Sequence, residues 1–211
     1  MDKITVFKPQ QCGAIQARHV ILTVTAAGKI ISIFRHVCRT VNRNFWNAVL
    51  MSQSGAPGVA TNFGAGYISL KQISGAVGAI NADTAAINLT GPVGNASRGI
   101  VVGSGTGAEN FEGYALSTLI THGTGAGQMS YAVNAASAQS YNAGLLKWTI
   151  TITRSFTNTS GNPIDVKEIA MYGYVATNYV MLWRDLLGAT VTVPNNAVLT
   201  VAYEITLTLP A

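Results

Sequence analysis

Along residues 146–156, large apolar side chains occupy every second position, and threonine or serine occupies the positions between them. The apolar positions are Trp148, Ile150, Ile152 and Phe156. A period of two is that of a half-buried β-strand, and it cannot place a single apolar stripe on a helix. The turn-forming residues 158–163 end this predicted strand.

The same kind of pattern continues towards the carboxyl terminus. Strands are predicted over residues 164–174, 179–187, 189–193 and 198–209. In the last of these, the residues on one face are Leu199, Val201, Tyr203, Ile205, Leu207 and Leu209. Successive β-rich runs separated by turns predict a mainly β protein, an antiparallel β-sandwich or a jelly-roll-like fold.

The amino-terminal part is predicted to contain short strands and one helix. The strands are expected over Ile4–Phe7, Ala17–Thr25 and Lys29–Val37. Thr40 or Asn42 is expected to cap a short helix near residues 43–53. The side chains predicted to share one side of that helix are Phe45, Trp46, Val49 and Leu50, and packing of this side is expected to hold it.

Residues 55–145 are rich in alanine and glycine and have weaker periodicity, with strands predicted over Tyr67–Ile73 and Gly99–Val102. Gly55-Ala56-Pro57-Gly58 is expected to end the preceding helix. The simplest partition is an amino-terminal extension of strands and a short helix, residues 1–54, and a β-sandwich body, residues 55–211.

Charged residues make up only 10% of the 211 residues, whereas roughly 25% is typical. Apolar residues make up 48%. A surface this poor in charge favours association with other subunits, and a homo-oligomer is expected. No apolar run reaches the ~18 residues that span a bilayer, and the amino terminus lacks the apolar core of a signal peptide. We therefore expect synthesis in a cytoplasm and no membrane partner.

The net charge of +5 is concentrated near the amino terminus, because seven of the thirteen basic residues precede residue 44. Arg35, Arg39 and Arg43 recur every four residues, and Trp46 follows them. A nucleic-acid footprint is one interpretation of this basic segment. An arm whose charges meet an acidic neighbouring subunit is the preferred one. We predict these four residues as partner contacts.

No motif points to an enzyme. Gly103-Ser104-Gly105-Thr106-Gly107 follows an apolar strand, but the Lys-Ser/Thr pair of a phosphate-binding loop is absent, so a turn between strands is expected. Glu109 and Glu112 are interpreted as solvated loop carboxylates. The spacing of His19, His36 and His122 is not that of a zinc site, and two cysteines give no redox motif. No cofactor or metal is expected.

Charged residues also occur in the predicted strands near the carboxyl terminus. Asp165, Lys167 and Glu168 lie in one strand, and Arg184-Asp185 lies in the next. We expect these residues to form exposed cross-strand ion pairs, each contributing under ~1 kcal/mol.

The carboxyl-terminal half resembles a pattern found in virion proteins of tailed bacteriophages. A threonine-rich strand that ends in a "TN-S-G" turn, residues 151–161, is followed by an "I-x-V-x-E-I-G-L-Y"-like strand, residues 164–172. Met181–Asp185, Val191–Pro194 and Leu199–Ile205 match the following elements, and Gly99–Gly107 matches an upstream "x-V-G-T-G" segment. Ser104 stands where threonine is usual, and Ala170 stands where glycine is usual. The resemblance covers residues 99–209.

This resemblance implies a non-enzymatic virion structural protein that assembles in the host cytoplasm and binds other virion proteins. A capsid decoration (cement) protein and a neck or tail ring component are both compatible with it. A receptor- or carbohydrate-binding tail fibre tip is the alternative from another class. The residues that favour this alternative are Tyr172, Tyr174, Tyr179 and Trp183.

Overall fold

The computed structural model describes residues 15–38, 40–54, 69–78, 86–134 and 137–208. It is mainly β, with antiparallel sheets and a short helix, which confirms the predicted fold class. The elements in chain order are β1 (Ile15–Ala26), β2 (Lys29–Cys38), α1 (Arg43–Ser54), β3 (Leu70–Lys71), β4 (Val77–Gly78), β5 (Ile87–Asn88), β6 (Gly99–Gly103), β7 (Ser130–Tyr131), β8 (Ala138–Asn142), β9 (Lys147–Thr157), β10 (Ile164–Val175), β11 (Asn178–Val193) and β12 (Ala197–Thr208).

These strands form two main sheets. The six-stranded sheet has the order β2-β1-β12-β9-β7, with β8 also paired to β9. The four-stranded sheet has the order β11-β10-β5, with β6 also paired to β10. β3 and β4 form a separate two-stranded pair. All named strand pairs are antiparallel.

The core lies between the two sheets. Three successive rows on the inner face of the six-stranded sheet are buried: Val24-Leu199-Phe156, Leu22-Val201-Arg154 and Val20-Tyr203-Ile152. Across the core, the Tyr203 hydroxyl donates to Asp185 Oδ2 at 3.0 Å, and its ring meets Trp183 edge-to-face at 5.8 Å. The sheets thus pack face to face, as in a β-sandwich.

The long predicted strands occur where alternation placed them, with two differences. The separate runs 179–187 and 189–193 are one strand, β11. The predicted boundary at residue 54 divides one sheet, because β1 pairs with β12 along its whole length. Ile4–Phe7, residues 67–68 and Gly55–Gly58 lie outside the described residues.

Helix α1 forms where it was predicted, and of the four residues on the expected packing side Phe45 lies against the core, whereas two others point to solvent. Trp46 and Leu50 are exposed, whereas Asn44 and Asn47 are buried. Asn44 Nδ2 donates to the carbonyls of Lys71 at 2.8 Å and Met181 at 3.1 Å, and Asn47 Nδ2 donates to Ser69 O at 2.6 Å. Amide hydrogen bonds to neighbouring backbone therefore fix this helix together with the packing of Phe45 and Ala48, and Trp46 and Leu50 remain on its solvent side.

The two predicted caps of α1 make other contacts. Thr40 Oγ1 donates to Glu109 Oε2. Asn42 precedes the helix directly, but its Nδ2 donates to the carbonyls of Asn110 at 2.9 Å and Gly113 at 3.1 Å. Both side chains thus bind the loop that follows β6.

Arg154 of β9 is 1% exposed and lies on the inner, apolar face of its strand. Its Nε donates to Ala132 O at 2.9 Å, and Nη1 donates to the carbonyls of Arg98 and Ile100 at 3.0 and 2.9 Å. Nη2 donates to the carbonyls of Pro92 and Asn95 at 2.9 and 2.8 Å. All five N–H groups of the guanidinium are thereby used on irregular backbone.

The surroundings of Arg154 disfavour its charge without removing it at neutral pH. Burial lowers the pKa of Arg154 to about 10. The guanidinium lies 4.7 Å from the centroid of the Tyr131 ring. Burial in turn raises the pKa of the Tyr131 hydroxyl. Arg154 thus ties the segment 92–100 and residue 132 to the six-stranded sheet as a cation.

We predict that Arg154→Met lowers the free energy of unfolding by about 3–5 kcal/mol, because five buried or partly buried backbone carbonyl oxygens lose their donor. The measurement is denaturant unfolding followed by circular dichroism. Arg35→Met, at an exposed arginine of the same sheet, is the matched control and is expected to change stability by less than ~0.5 kcal/mol. Equal unfolding midpoints for the two variants would contradict the role of Arg154.

Candidate functional site

The outer face of the six-stranded sheet, hereafter the outer face, is broad and poor in charge. Its positions alternate with the buried rows and include Ile21, Thr23, Thr25, Ile33, Arg35, Val37, Ala138, Ser140, Asn142, Lys147, Thr149, Thr151, Thr153, Ser155, Thr200, Ala202, Glu204 and Thr206. Of these, Arg35, Lys147 and Glu204 carry charge. The remaining side chains are aliphatic or small and polar, and they are half-buried or exposed.

The inner face of the same sheet continues beyond the core. In the two rows after Tyr203, Ile205 pairs with Ile150, and Leu207 pairs with Trp148. These four side chains and Gln139 line an open cleft of about 310 Å³. Its lining is almost entirely apolar, so this end of the sheet is a second surface suited to contact with another molecule.

The four residues predicted as partner contacts are not brought together in one element. Arg35 is exposed on β2, Arg39 lies outside the described residues, and Arg43 begins α1. Arg43 Nε donates to Glu112 Oε1 at 2.7 Å, and the guanidinium lies 5.2 Å from the Phe111 ring centroid. The spacing of four therefore does not make a helical basic stripe, because a strand and a helix carry these residues.

Trp46 is the predicted contact with the largest exposed apolar surface. It is 46% exposed, and its ring meets Phe45 edge-to-face at 5.5 Å. Phe45 in turn packs against Trp183 at 6.1 Å, so Trp46 is held on a firmly anchored helix. It thus remains a candidate contact residue.

The glycine-rich loop after β6 surrounds a carboxylate of the chain itself. Glu168 is fully buried and accepts hydrogen bonds from the backbone N–H groups of Gly105 at 3.1 Å, Thr118 at 2.8 Å and Ser117 at 3.2 Å. Arg184 Nε donates to the same carboxylate at 2.7 Å. The segment is the end of β6 followed by an irregular loop rather than the predicted turn between strands, and the anion that it contacts is internal.

The expectation of exposed ion pairs is wrong for Glu168 and Arg184. Their side chains are 0% and 6% exposed, and Arg184 also donates to Ala108 O at 3.0 Å, Gly107 O at 2.6 Å and Ser117 Oγ at 3.0 Å. Asp185 is likewise buried. Asp165 matches the expectation of an exposed cross-strand contact, but its partner is the Thr192 hydroxyl at 2.7 Å.

The loop carboxylates are also bound rather than freely solvated. Glu109 accepts from Leu186 N at 2.7 Å as well as from Thr40, and Glu112 binds Arg43. His122 Nδ1 accepts from Tyr131 N at 3.0 Å. Within the described ranges, no group of three or more histidine, cysteine or acidic side chains is placed to hold a metal ion. The helix described here is too short to cross a bilayer.

Two of the four aromatic residues that favour a carbohydrate-binding surface belong to the core. Tyr172 is 2% exposed and Trp183 is 3% exposed. The Tyr172 hydroxyl accepts from Leu116 N at 2.9 Å, and burial raises the pKa of Tyr172 to about 12. Tyr174 and Tyr179 form a ring pair at 5.0 Å, and Tyr179 is partly exposed.

Three features of these surfaces were missed in the sequence. Arg154 occupies an inward-facing position of a strand whose other inward-facing residues are apolar. An arginine at such a position is itself a signal that its side chain is buried. Ile30, Ile31 and Ile33 interrupt the alternation of β2 and thereby signal apolar residues on both of its faces. The open cleft depends on where the second sheet stops, and no local pattern reports that.

Comparison with known proteins gives no match: no family model matches the chain, no curated protein matches its sequence, and no solved structure matches its fold. The resemblance to tailed-phage virion proteins stays a hypothesis after these comparisons.

We predict that Gly105→Ala destabilises the fold by roughly 1–3 kcal/mol. A Cβ at this position would lie 2.5 Å from Glu168 Oε1 and 2.5 Å from Ser117 Cβ, which would displace the buried carboxylate from its donors. Gly188→Ala is the control, because a Cβ there meets no atom within 4 Å. Thermal unfolding of both variants measures the difference, and equal midpoints would refute the close approach.

Proposed function

We propose that the chain is a non-enzymatic structural protein of a tailed-bacteriophage virion, acting either as a capsid decoration (cement) protein or as a neck or tail ring component. The observation that carries the proposal is the outer face, a five-strand surface with three charged side chains. Its support from the sequence is the resemblance over residues 99–209. Its partners are other virion proteins and further copies of this chain.

The chemistry of the outer face suits permanent contact. Threonine, serine, alanine and isoleucine lose little hydration free energy on burial compared with lysine or glutamate, because no ion has to be desolvated. Cores of protein interfaces are depleted of charged residues for the same reason. The open cleft beside Trp148 adds an apolar surface at one end of the same sheet.

The rigidity of the loops supports the same function. An assembly subunit binds best when its surfaces are formed before contact, because ordering a loop during association costs free energy. Arg154 and the Glu168–Arg184 pair fix the long irregular segments from inside through hydrogen bonds to backbone. The molecule thus presents preformed surfaces to its partners.

A receptor- or carbohydrate-binding tail fibre tip remains the second candidate, on the pair of Tyr174 and Tyr179. The burial of Tyr172 and Trp183 removes half of the aromatic surface on which that candidate depends. Binding of the purified chain to a glycan array would favour this candidate over the structural one.

The test is incorporation of variants into particles of the phage whose genome encodes this chain. Thr153 is exposed in the outer face, where it pairs with Ala202. We expect Thr153→Lys to lower incorporation at least about tenfold, because an unpaired charge buried in an interface costs more than ~2 kcal/mol. Copies per purified particle are measured by quantitative mass spectrometry.

Thr106→Lys is the matched control, because Thr106 is exposed in the loop after β6 and lies outside the outer face. It is expected to enter particles at the level of the unchanged protein. Normal incorporation of Thr153→Lys, with both variants equally stable, would reject the outer face as the assembly surface.

A further inference from the structure

One end of the four-stranded sheet carries a row of three side chains on a single face. Tyr174 of β10 pairs directly with Asn88 of β5 on one side and with Tyr179 of β11 on the other. Directly paired residues of antiparallel strands point to the same face of a sheet, so these side chains are neighbours. Asn88 and Tyr179 are exposed and Tyr174 is partly exposed, so a ligand can reach the row from solvent.

Arg98, in the loop before β6, lies against this row without an acceptor for its guanidinium. Its Cζ is 5.8 Å from the centroid of the Tyr174 ring, and its backbone carbonyl is held by Arg154 Nη1. The side chain is partly exposed, yet its Nε is buried and has no hydrogen-bond partner. Among the residues that the structure describes, Arg98 also forms no ion pair. Buried donors are normally paired, so this guanidinium indicates an acceptor supplied by another molecule.

The amide of Asn88 adds further donors to the row. Asn88 Oδ1 accepts from Thr90 N at 2.9 Å and from Thr90 Oγ1 at 2.7 Å, so its acceptor capacity is used. Its Nδ2 makes no hydrogen bond to the described part of the chain. Arg98 and Asn88 thus offer N–H groups and one positive charge. The ligand that complements them is an anion with two acceptor oxygens, as in a carboxylate.

The β10–β11 hairpin holds the row on a strained turn. Its two turn residues, Ala176 and Thr177, have φ angles of 46° and 69°, a left-handed conformation that is rare for a β-branched residue. Asn178 Nδ2 donates to Ala176 O at 2.7 Å, and Asn178 Oδ1 accepts from Gln72 Nε2 at 2.8 Å. Such strain persists only where the surroundings fix it, and it is concentrated at binding sites. The two tyrosines are therefore presented on a preformed surface.

We propose that Arg98 and the row Asn88–Tyr174–Tyr179, hereafter the arginine–tyrosine site, bind an acidic segment of a partner protein. A carboxylate of that segment binds Arg98 and Asn88, and an adjoining side chain packs on Tyr179. Tyrosine and arginine are among the residue types that contribute most to protein–protein binding. The two tyrosine rings are 5.0 Å apart at 52° to each other, so they do not form the flat platform on which a base or a sugar ring stacks.

The charge of the chain favours a different protein over a second copy as the source of the carboxylate. The net charge is +5, and at least four of the eight acidic side chains are used within the chain. Glu168 and Asp185 are buried, Glu109 accepts from a backbone N–H, and Glu112 binds an arginine. Copies of a basic chain repel each other, whereas an acidic partner is attracted. The identity of that partner as a virion protein rests on the proposed function, but the site itself does not.

The test uses the purified full-length chain and hexaglutamate, an oligopeptide with both ends blocked, with hexaglutamine as the neutral probe. Binding is followed by NMR, through the Nε–H signal of Arg98 and the ring signals of Tyr179. Hexaglutamate is expected to shift these signals until they saturate, and hexaglutamine is expected to leave them unchanged, because only hexaglutamate carries carboxylates.

Two variants change the arginine–tyrosine site in different ways. Arg98→Gln removes the cation, and Asn88→Asp keeps the acceptor for Thr90 but places a carboxylate in the row. Each is expected to raise the dissociation constant of hexaglutamate at least about tenfold. Arg35→Gln is the matched control, because Arg35 is an exposed arginine of the other main sheet, and it is expected to leave the constant within about twofold. Thermal unfolding checks that all three variants are folded.

Unshifted Arg98 and Tyr179 signals in the presence of hexaglutamate would overturn the proposal. Equal dissociation constants for Arg98→Gln and Arg35→Gln would also overturn it, because they would mean binding through net charge alone. Tighter binding of D-glucuronate or of inorganic phosphate at the same signals would assign the site to a saccharide or a phosphate instead. Because no phage particle is involved, these outcomes are independent of the incorporation experiment.

Discussion

The fold depends on satisfying backbone polar groups in long buried loops. Between β5 and β8 the chain forms mostly short or irregular segments, yet many of these residues lie against the core. Carbonyl and N–H groups there cannot all reach a sheet partner, and leaving them unpaired would cost free energy. Arg154 supplies five donors to this region, and Glu168 accepts three of its N–H groups. Hydrogen bonds to buried charged side chains thus satisfy backbone groups that regular secondary structure would otherwise pair.

Burying charged residues inside the sandwich leaves fewer of them for the surface. The chain has 21 Lys, Arg, Asp and Glu residues. Four of them, Arg154, Glu168, Arg184 and Asp185, are buried in the sandwich. Such buried ions stabilise only when their hydrogen bonds are complete, because the desolvation cost is large. The inside is therefore rigid and specific, while the outer face of the six-stranded sheet keeps few charges and can be covered by other subunits.

Strict alternation was enough to predict the long strands β9 and β12, because the side-chain period of a strand is a local property. The position of Arg154 follows the same alternation, but its five carbonyl partners lie on other segments and leave no local signal. Helix α1 is an element whose contacts the local sequence pattern did not predict fully. Its apolar residues predicted a buried side, yet Asn44 and Asn47 hold the helix because they find backbone partners in β3, in β11 and at Ser69. Long-range hydrogen bonds supplement the packing of Phe45 there, and long-range hydrogen bonds likewise hold Glu168 beside the glycine-rich loop.

We propose that a sandwich whose outer face carries few charged side chains is a structural subunit of a particle. The most direct measurement is the copy number of the unchanged chain in purified phage particles, by quantitative mass spectrometry against the major capsid protein. The account predicts a reproducible ratio set by the symmetry of the shell or of the tail. Absence of the chain from particles, with the protein present in the infected cell, would contradict it.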